Sequence, residues 1–283
     1  MTVDNSIAFP GLGISVDPQR TAFEIFGFSV YWYGVIIGIG FILGLLYALS
    51  RVRYEKIKED DFLLILIISL PVSIICARAY YVIFYSSLYF TDGKFDFMRA
   101  ISIRDGGLAI YGGVIGAFLC TFIICRLKKI SFLKVSDCVA VSFLIGQGIG
   151  RWGNFFNREA YGEITALPWR MEIYDMAAHM RICVHPTFLY ESVWNLLGAL
   201  LIHIYYKRKK FNGEILLMYV AWYGFGRMFI EGLRTDSLYL FDSGIRVSQA
   251  LAAVSFAAAV ILIIIARIKT KNRENLSNGS KNN

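Results

Sequence analysis

The sequence predicts an all-α polytopic membrane protein with about seven transmembrane helices. Hydrophobic residues make up 57% of the 283 residues and charged residues only 18%, whereas soluble domains are about 45–50% apolar and about 25% charged. The mean hydropathy is +0.54. Long apolar stretches alternate with short polar segments along the chain. These observations exclude a disordered chain, a coiled coil and an ordinary soluble domain.

Seven apolar stretches are candidates for the spans, because a helix that crosses a bilayer needs about 20 mostly apolar residues. The fourth stretch is short, and we expect its helix to continue past Arg151. The stretches cover residues 30–50, 62–85, 107–125, 135–149, 187–206, 214–231 and 247–266.

Basic residues are concentrated on one side of these spans. The loops 51–60, 126–134 and 207–210, together with the chain from 267 onward, hold 17 of the 29 Lys and Arg residues. Cytoplasmic loops of membrane proteins are rich in Lys and Arg. The sequence therefore predicts that the N-terminus lies outside and that the C-terminus is cytoplasmic.

Three regions follow from this topology. We expect an outer interfacial segment at 1–29 and a seven-helix transmembrane domain, which would hold the functional site, at 30–268. That domain includes a long outer segment at 151–186. The polar remainder, 269–283, is expected to be a disordered cytoplasmic tail.

The same topology explains the net charge of +8 without a nucleic-acid partner, since no basic stripe with interleaved aromatics lies outside the apolar segments. The five cysteines include no CxxC pair, and no Cys/His spacing is typical of zinc. We therefore expect no disulfide framework, no metal and no cofactor. We expect the lipid bilayer to surround the apolar helices.

Ionisable residues inside a membrane are rare and are candidates for function. Arg227 and Glu231 lie four residues apart in the sixth stretch, on one helix face that also carries Tyr223. Arg234 follows near the outer end of that stretch. A purely structural ion pair that orients the helix bundle is the alternative interpretation.

A second polar cluster, GQGIGRWGNFFNREAYG, occupies residues 146–162. On a helix, Gln147, Arg151 and Asn154 project to one side. Its glycines are costly in a helix interior, but they allow another helix or a ligand to approach closely. A glycine packing face would explain the glycines but not the gathering of Arg, Asn and Glu in one short window.

Three shorter motifs complete the set. RDGGLAIYGG at 104–113 contains Tyr111, and HPTFLYE at 185–191 contains His185 and Glu191, whose buried carboxylate requires a partner. YWYG at 31–34 contains Tyr33, for which an interfacial anchor is the alternative role. Each of these motifs alone could be structural, as a helix start or a packed turn.

All five clusters lie on the outer side or in the outer half of the membrane under the predicted topology. Arg151 and Arg227 come to that depth from separate spans. Guanidinium groups bind phosphate oxygens in pairs, and the most abundant phosphates at this depth are those of phospholipid headgroups. The residues therefore predict a site for an anionic lipid near the outer leaflet.

GRWGNFFNREAYG, residues 150–162, is similar to the signature of the bacterial phosphatidylglycerol–prolipoprotein diacylglyceryl transferase family. DGGLAIYGG, HPTFLYE and YGFGRMFIEGLR resemble the other blocks of that family, in the same order. The resemblance covers the chain from YWYG to the seventh stretch. It implies a multi-pass enzyme of the bacterial cytoplasmic membrane that carries out the first step of lipoprotein maturation. In that step the diacylglyceryl group of phosphatidylglycerol moves to the lipobox cysteine of a preprolipoprotein, and glycerol phosphate leaves.

The resemblance also implies roles for individual residues. It makes Arg151 and Arg227 the phosphate-handling arginines and places Glu231 and Tyr111 with them as catalytic candidates. The candidates for substrate binding are Arg151 itself, Asn154, Glu159, Gly162, Tyr33, Tyr223, Glu191, Arg234 and His185.

Tyr111 departs from the family pattern, in which many members have histidine. A phenol is a poor general base at neutral pH, so we assign Tyr111 to hydrogen bonding. The base could then be Glu231, Glu191 or His185, or a positive field could favour the thiolate.

A transporter or flippase for an anionic lipid or solute is the competing class of protein, although no internal repeat is visible. A receptor or scaffold is the third class of protein that shares these apolar spans.

Overall fold

The structure is a computed structural model that describes residues 6–91, 94–103, 106–175, 179–235, 239, 244 and 246–279. Helices dominate it. In chain order they are α1 (Trp32–Tyr54), α2 (Glu59–Phe84), α3 (Phe97–Ile101), α4 (Ile110–Leu127), α5 (Phe132–Asn157), α6 (Thr187–Tyr205), α7 (Glu214–Ile230) and α8 (Val247–Gly279).

Short strands precede the first helix and lie in two of the connections between later helices. They are β1 (Ile7–Phe9), β2 (Ile14–Val16), β3 (Thr21–Ile25), β4 (Phe28–Tyr31), β5 (Phe90–Thr91), β6 (Lys94–Phe95), β7 (Met171–Asp175) and β8 (Met180–Val184).

Among the described residues, six helices are long and apolar enough to cross a membrane: α1, α2, α4, α5, α6 and α8. The chain is thus a mostly helical, multi-pass membrane protein, as predicted. Helix α5 continues past Arg151 to Asn157, which also agrees with the prediction. Helix α7 has 17 residues, about 26 Å at 1.5 Å per residue, so a seventh crossing at 214–231 stays a prediction.

The prediction of purely helical structure misses a small sheet. Its strand order is β2-β1-β7-β8, and β1 meets β7 through the pair Ala8 and Glu172. Strands β3 and β4 form a separate hairpin that begins in the segment 1–29 and ends at Tyr31, directly before α1. These strands have three to five residues each, too few for an alternating pattern to stand out beside long apolar helices.

The chain divides into two compact units, one formed by residues 1–48 with 136–283 and the other by residues 49–135. In the first unit, α5, α6 and α7 meet in an apolar cluster that includes the fully buried Leu144, Tyr206 and Ile215. A second cluster packs the strands β1, β7 and β8 against Phe188 at the start of α6.

A buried carboxylate fixes the start of α7 in the first unit. Asp137 of α5 accepts hydrogen bonds from the backbone N–H groups of Gly213 (2.9 Å) and Leu216 (3.0 Å) and from Lys209 Nζ (3.1 Å). The first N–H groups of a helix have no partner within the helix. Asp137 therefore caps α7 from a neighbouring helix.

In the second unit, α2 and α4 pack through glycines. A Cβ atom on Gly112 would collide with the backbone of Cys76, and one on Gly116 would lie 2.5 Å from the Cys76 Cβ. Ser73 Oγ donates to the Gly113 carbonyl at 2.9 Å. The two glycines of the YGG motif thus serve a close helix contact.

The end of the chain differs from the prediction. Helix α8 continues to Gly279, through residues expected to be a disordered tail. Lys, Arg, Glu and Leu, which occur in this stretch, are good helix formers, and a helix extends easily once its first turns exist. Residues 280–283 lie outside the described residues.

Candidate active site

Glu191 lies at the centre of an ion-pair cluster in the first unit. Its side chain is on the second turn of α6, and the residue is only 4% exposed. Oε2 lies 2.5 Å from Arg151 Nη2 of α5, and Oε1 lies 2.8 Å from Arg227 Nη1 of α7. Arg234 Nη1 is also 3.5 Å from Oε1. One carboxylate therefore holds together the two arginines that the sequence singles out.

Arg227 makes a second ion pair, to Glu231 Oε2, four residues on. The pair that the spacing predicts is therefore present. Glu231 is 2% exposed and begins a 3-10 turn after α7. Its backbone carbonyl accepts a hydrogen bond from Arg246 Nη1, and Arg246 Nη2 reaches Glu163 Oε1 at 3.1 Å.

Polar side chains at the end of α5 form hydrogen bonds with one another and with Glu159. Asn154 Oδ1 accepts from Arg151 Nη1 at 3.3 Å, and Asn154 Nδ2 donates to Glu159 Oε1 at 2.8 Å. Asn157 Nδ2 donates to the same carboxylate at 3.3 Å. Asn154 thus joins Arg151 to Glu159, which is exposed.

Arg158 follows the end of α5, and its φ of 57° is left-handed. Its guanidinium donates to the Pro18 carbonyl at 2.8 Å and lies 3.5 Å from Asp17. Burial lowers the pKa of Arg158, and the Asp17 carboxylate acts in the opposite direction. Arg158 therefore ties the N-terminal segment to the end of α5.

Gly162 occupies a crowded junction of three segments. Its N–H donates to the His185 carbonyl at 3.0 Å, and it forms a β-bridge with Arg234. A Cβ atom there would lie 2.7 Å from His185 Cβ and 2.9 Å from the Leu233 carbonyl oxygen. Glycine is therefore required where the chain passes between the start of α6 and the end of α7.

The remaining predicted residues of the first unit surround this cluster. Tyr33, at the start of α1, packs on Gly153, where a Cβ atom would lie 2.7 Å from the tyrosine ring. Tyr223 stacks on Tyr219 with ring centroids 6.0 Å apart. Tyr219 Oη accepts from Gln147 Nε2 at 3.0 Å. His185 Nδ1 is 3.2 Å from Tyr190 Oη.

Tyr111 belongs to the second unit, at the second position of α4, and is 46% exposed. In the same unit, Arg78 of α2 is buried and donates to four backbone carbonyls between Arg99 and Gly107, at 2.8–2.9 Å. Arg78 therefore organises the segment that leads to Tyr111. The motif residues Arg104 and Asp105 lie outside the described residues.

The cluster of Glu191, Glu231, Arg151, Arg227 and Arg234 carries a net positive charge. Among the residues that the structure describes, three guanidinium groups face two carboxylates, while Arg246 pairs with Glu163. The arginine side chains keep 21%, 16% and 11% of their surface exposed. A guanidinium has five N–H donors, so the cluster can bind an additional anion such as a phosphate.

Comparison with known proteins agrees with this chemistry. A sequence model of the family described as "Prolipoprotein diacylglyceryl transferase" matches residues 20–265. The chain belongs to the prolipoprotein diacylglyceryl transferase family. The family resemblance found in the sequence is therefore confirmed.

Curated relatives of the family are similar over nearly their whole length. A phosphatidylglycerol–prolipoprotein diacylglyceryl transferase from Finegoldia magna is 47% identical over 247 residues, which cover 87% of this chain and 95% of the relative. The enzymes of that name from Clostridioides difficile and Limosilactobacillus reuteri are 41% and 44% identical. These matches cover 92% and 91% of this chain, and 99% and 94% of the relatives.

Sequence reasoning singles out the five residues of this ion-pair cluster but misses some of the contacts around it. Glu163 and Arg246 were not singled out, since they lie 83 positions apart and neither is in a motif that signals the other. Arg78 carried a usable signal, because it is an arginine within a predicted span.

Proposed function

We propose that this chain transfers the diacylglyceryl group of phosphatidylglycerol to the thiol of the lipobox cysteine in preprolipoproteins. This would be the first step of lipoprotein maturation. The observation that carries the proposal is the joining of Arg151 and Arg227 on Glu191 in a chain of this family. The names of the relatives identify phosphatidylglycerol and prolipoprotein as their substrates.

The reaction replaces one bond at a carbon of the diacylglyceryl group, namely the glycerol carbon that is linked to the phosphate oxygen. The cysteine sulfur attacks this carbon and forms a thioether, and the bond from the carbon to the phosphate oxygen breaks. Glycerol phosphate leaves with the electron pair. The thiol proton passes to a base or to water. Negative charge therefore builds on the departing phosphate.

Arg151 and Arg227 are suited to stabilise that charge. They come from different helices, and Glu191 holds both guanidinium groups before substrate binds. Such preorganised donors are most effective where water is excluded. By analogy with the loss of an oxyanion-hole donor, each arginine contributes about 3–4 kcal/mol to transition-state stabilisation.

Activation of the thiol follows from the same charges. A free thiol has a pKa of about 8.5, so only about 3% is thiolate at pH 7. Glu191 and Glu231 are both engaged in ion pairs with arginine. We propose that the net positive charge of the cluster favours the thiolate, and that Tyr111 contributes a hydrogen bond rather than a base.

The proposed orientation puts the site in the outer half of the bacterial cytoplasmic membrane, with the C-terminus in the cytoplasm. Glu191 lies near the start of α6, whereas the basic run 207–210 follows the end of that helix. Site and basic loop thus lie at opposite ends of one helix. The orientation rests on the preference of cytoplasmic loops for Lys and Arg.

The test is a transfer assay on purified protein in phosphatidylglycerol vesicles with a lipobox peptide. We expect the peptide to gain the mass of one diacylglyceryl group, and a peptide with serine in place of cysteine to stay unmodified. Arg227→Gln should lower the rate by at least about 100-fold, and the exposed Arg53→Gln should not. Movement of labelled lipid across the bilayer without modified peptide would identify a flippase instead.

A further inference from the structure

Two tryptophans join α6 and α7 by a pair of reciprocal hydrogen bonds. Trp194 Nε1 donates to the Trp222 carbonyl at 3.0 Å, and Trp222 Nε1 donates to the Trp194 carbonyl at 2.9 Å. The two indole rings stack with centroids 4.3 Å apart and planes 14° from parallel. We call this arrangement the tryptophan clamp.

Two glycines make room for the clamp. A Cβ atom on Gly198 would collide with the Trp222 indole nitrogen, and one on Gly226 would collide with that of Trp194. Each helix thus carries a tryptophan followed four residues later by the glycine that receives the opposite indole. The arrangement is nearly symmetric and permits only one alignment of the two helices.

The clamp lies next to the ion-pair cluster. Glu191 precedes Trp194 by three residues on α6, and Arg227 directly follows Gly226 on α7. A helix rises 1.5 Å per residue. A slide of α6 along α7 by a single residue would therefore break the 2.8 Å contact between Glu191 and Arg227.

Directional hydrogen bonds suit this task in a membrane. Apolar packing between helices gains little there, because lipid chains are as apolar as the side chains they replace. An indole N–H without a partner is costly in hydrocarbon. The clamp therefore resists sliding more strongly than apolar contacts alone.

We propose that Trp194 and Trp222 are positioning residues for Arg227: the clamp fixes the alignment of α6 and α7 that holds Arg227 on Glu191. This inference rests on the proposed transfer reaction, in which Arg227 stabilises the departing phosphate. Neither tryptophan contacts substrate in this account. Their effect passes through Glu191 and Arg227.

The test measures kcat and KM for phosphatidylglycerol in Trp194→Phe and Trp222→Phe, which keep an aromatic ring but lose the N–H donor. We expect each change to lower kcat about tenfold with KM within about twofold, since a misplaced catalytic group mainly affects the transition state. Trp32→Phe is the matched control. Its ring stacks on Phe156, and we expect its kcat to stay within about twofold of the wild type.

A double-mutant cycle separates positioning from general stability. In a Glu191→Gln background, which has already lost the carboxylate that holds Arg227, Trp194→Phe should lower the rate by less than about twofold. Equal tenfold effects in both backgrounds would overturn the proposal, as would unchanged kcat in folded Phe variants. An inactive wild type would instead contradict the transfer reaction itself.

The glycines provide a second route if the Phe variants do not fold. Gly198→Ala forces the clamp apart, whereas Gly38→Ala adds the same methyl group where no atom lies within 4 Å. We expect Gly198→Ala alone to lower kcat. Equal kcat in the two alanine variants would also overturn the proposal.

Discussion

Glu191 determines how the two arginines of the site are arranged. Without this carboxylate, Arg151 and Arg227 would repel each other at low dielectric. Each of its oxygens holds one of them, at 2.5 Å and 2.8 Å. Sequence spacing shows that Glu191 requires a partner but cannot name it, because Arg227 is 36 positions away.

We predict that lysine does not replace Arg151. Lysine keeps the charge but lacks the planar fork that can bind Glu191 and a phosphate at once. Arg151→Lys should lower the transfer rate by about 100-fold or more at equal protein abundance. Arg53→Lys, at an exposed pair with Glu59, is the control and should be near wild type. A near-wild-type rate for Arg151→Lys would contradict paired recognition.

We also predict that Arg227 and Glu231 act as a unit. Glu231 orients Arg227 through their ion pair, so its removal should alter activity through Arg227. A double-mutant cycle with Arg227→Lys and Glu231→Gln should show a coupling of about 0.5–3 kcal/mol in the transfer rate. Strictly additive effects would make the two residues independent.

The third prediction concerns Tyr111, where the sequence departs from the family pattern. If Tyr111 donates a hydrogen bond, Tyr111→His should be tolerated, because histidine can also donate. Tyr111→Phe should lower the rate by about 0.5–1.5 kcal/mol, the worth of one neutral hydrogen bond. The pH–rate profiles of both variants provide the measurement. Near-total loss in the Phe variant with a new ionisation at about pH 6–7 in the His variant would make position 111 the base.

At the scale of elements, apolar length predicts the helices well because hydrocarbon requires it. The six long apolar helices confirm that reasoning. The sheet escaped prediction because its strands are short, and because Ala8 pairs with Glu172, far along the chain. The left-handed turn at Arg158 could not be predicted from the sequence, because arginine rarely adopts a positive φ.

The buried cap of α7 leads to a stability prediction. Asp137 is fully buried and satisfies two helix N–H groups and Lys209. Asp137→Ala should lower the free energy of unfolding in detergent by about 3–5 kcal/mol, because it removes the acceptor of two backbone N–H groups and the carboxylate that pairs with Lys209. Asp137→Asn keeps one acceptor oxygen and should cost less. The transfer rate per folded molecule should stay near wild type in both variants. Asp137 precedes Arg151 by 14 residues on α5, which is about 21 Å along the helix.

At the scale of the whole molecule, the family motifs predict which residues form the site, and the structure shows how they meet. Arg151, Glu191 and Arg227 lie on three helices that converge in the first unit. No local pattern encodes contacts between helices so distant in sequence. The general base and the membrane orientation stay predictions, because they depend on substrate and bilayer rather than on the chain alone.

The most direct test of the account is the stoichiometry of one reaction. Purified protein is incubated with phosphatidylglycerol that carries separate labels on its acyl chains and on its headgroup glycerol, with and without lipobox peptide. We predict one glycerol phosphate released for each diacylglyceryl thioether formed, and no release without peptide. Release of glycerol phosphate in the absence of peptide, or label movement without thioether, would contradict transfer at the Arg151–Glu191–Arg227 site.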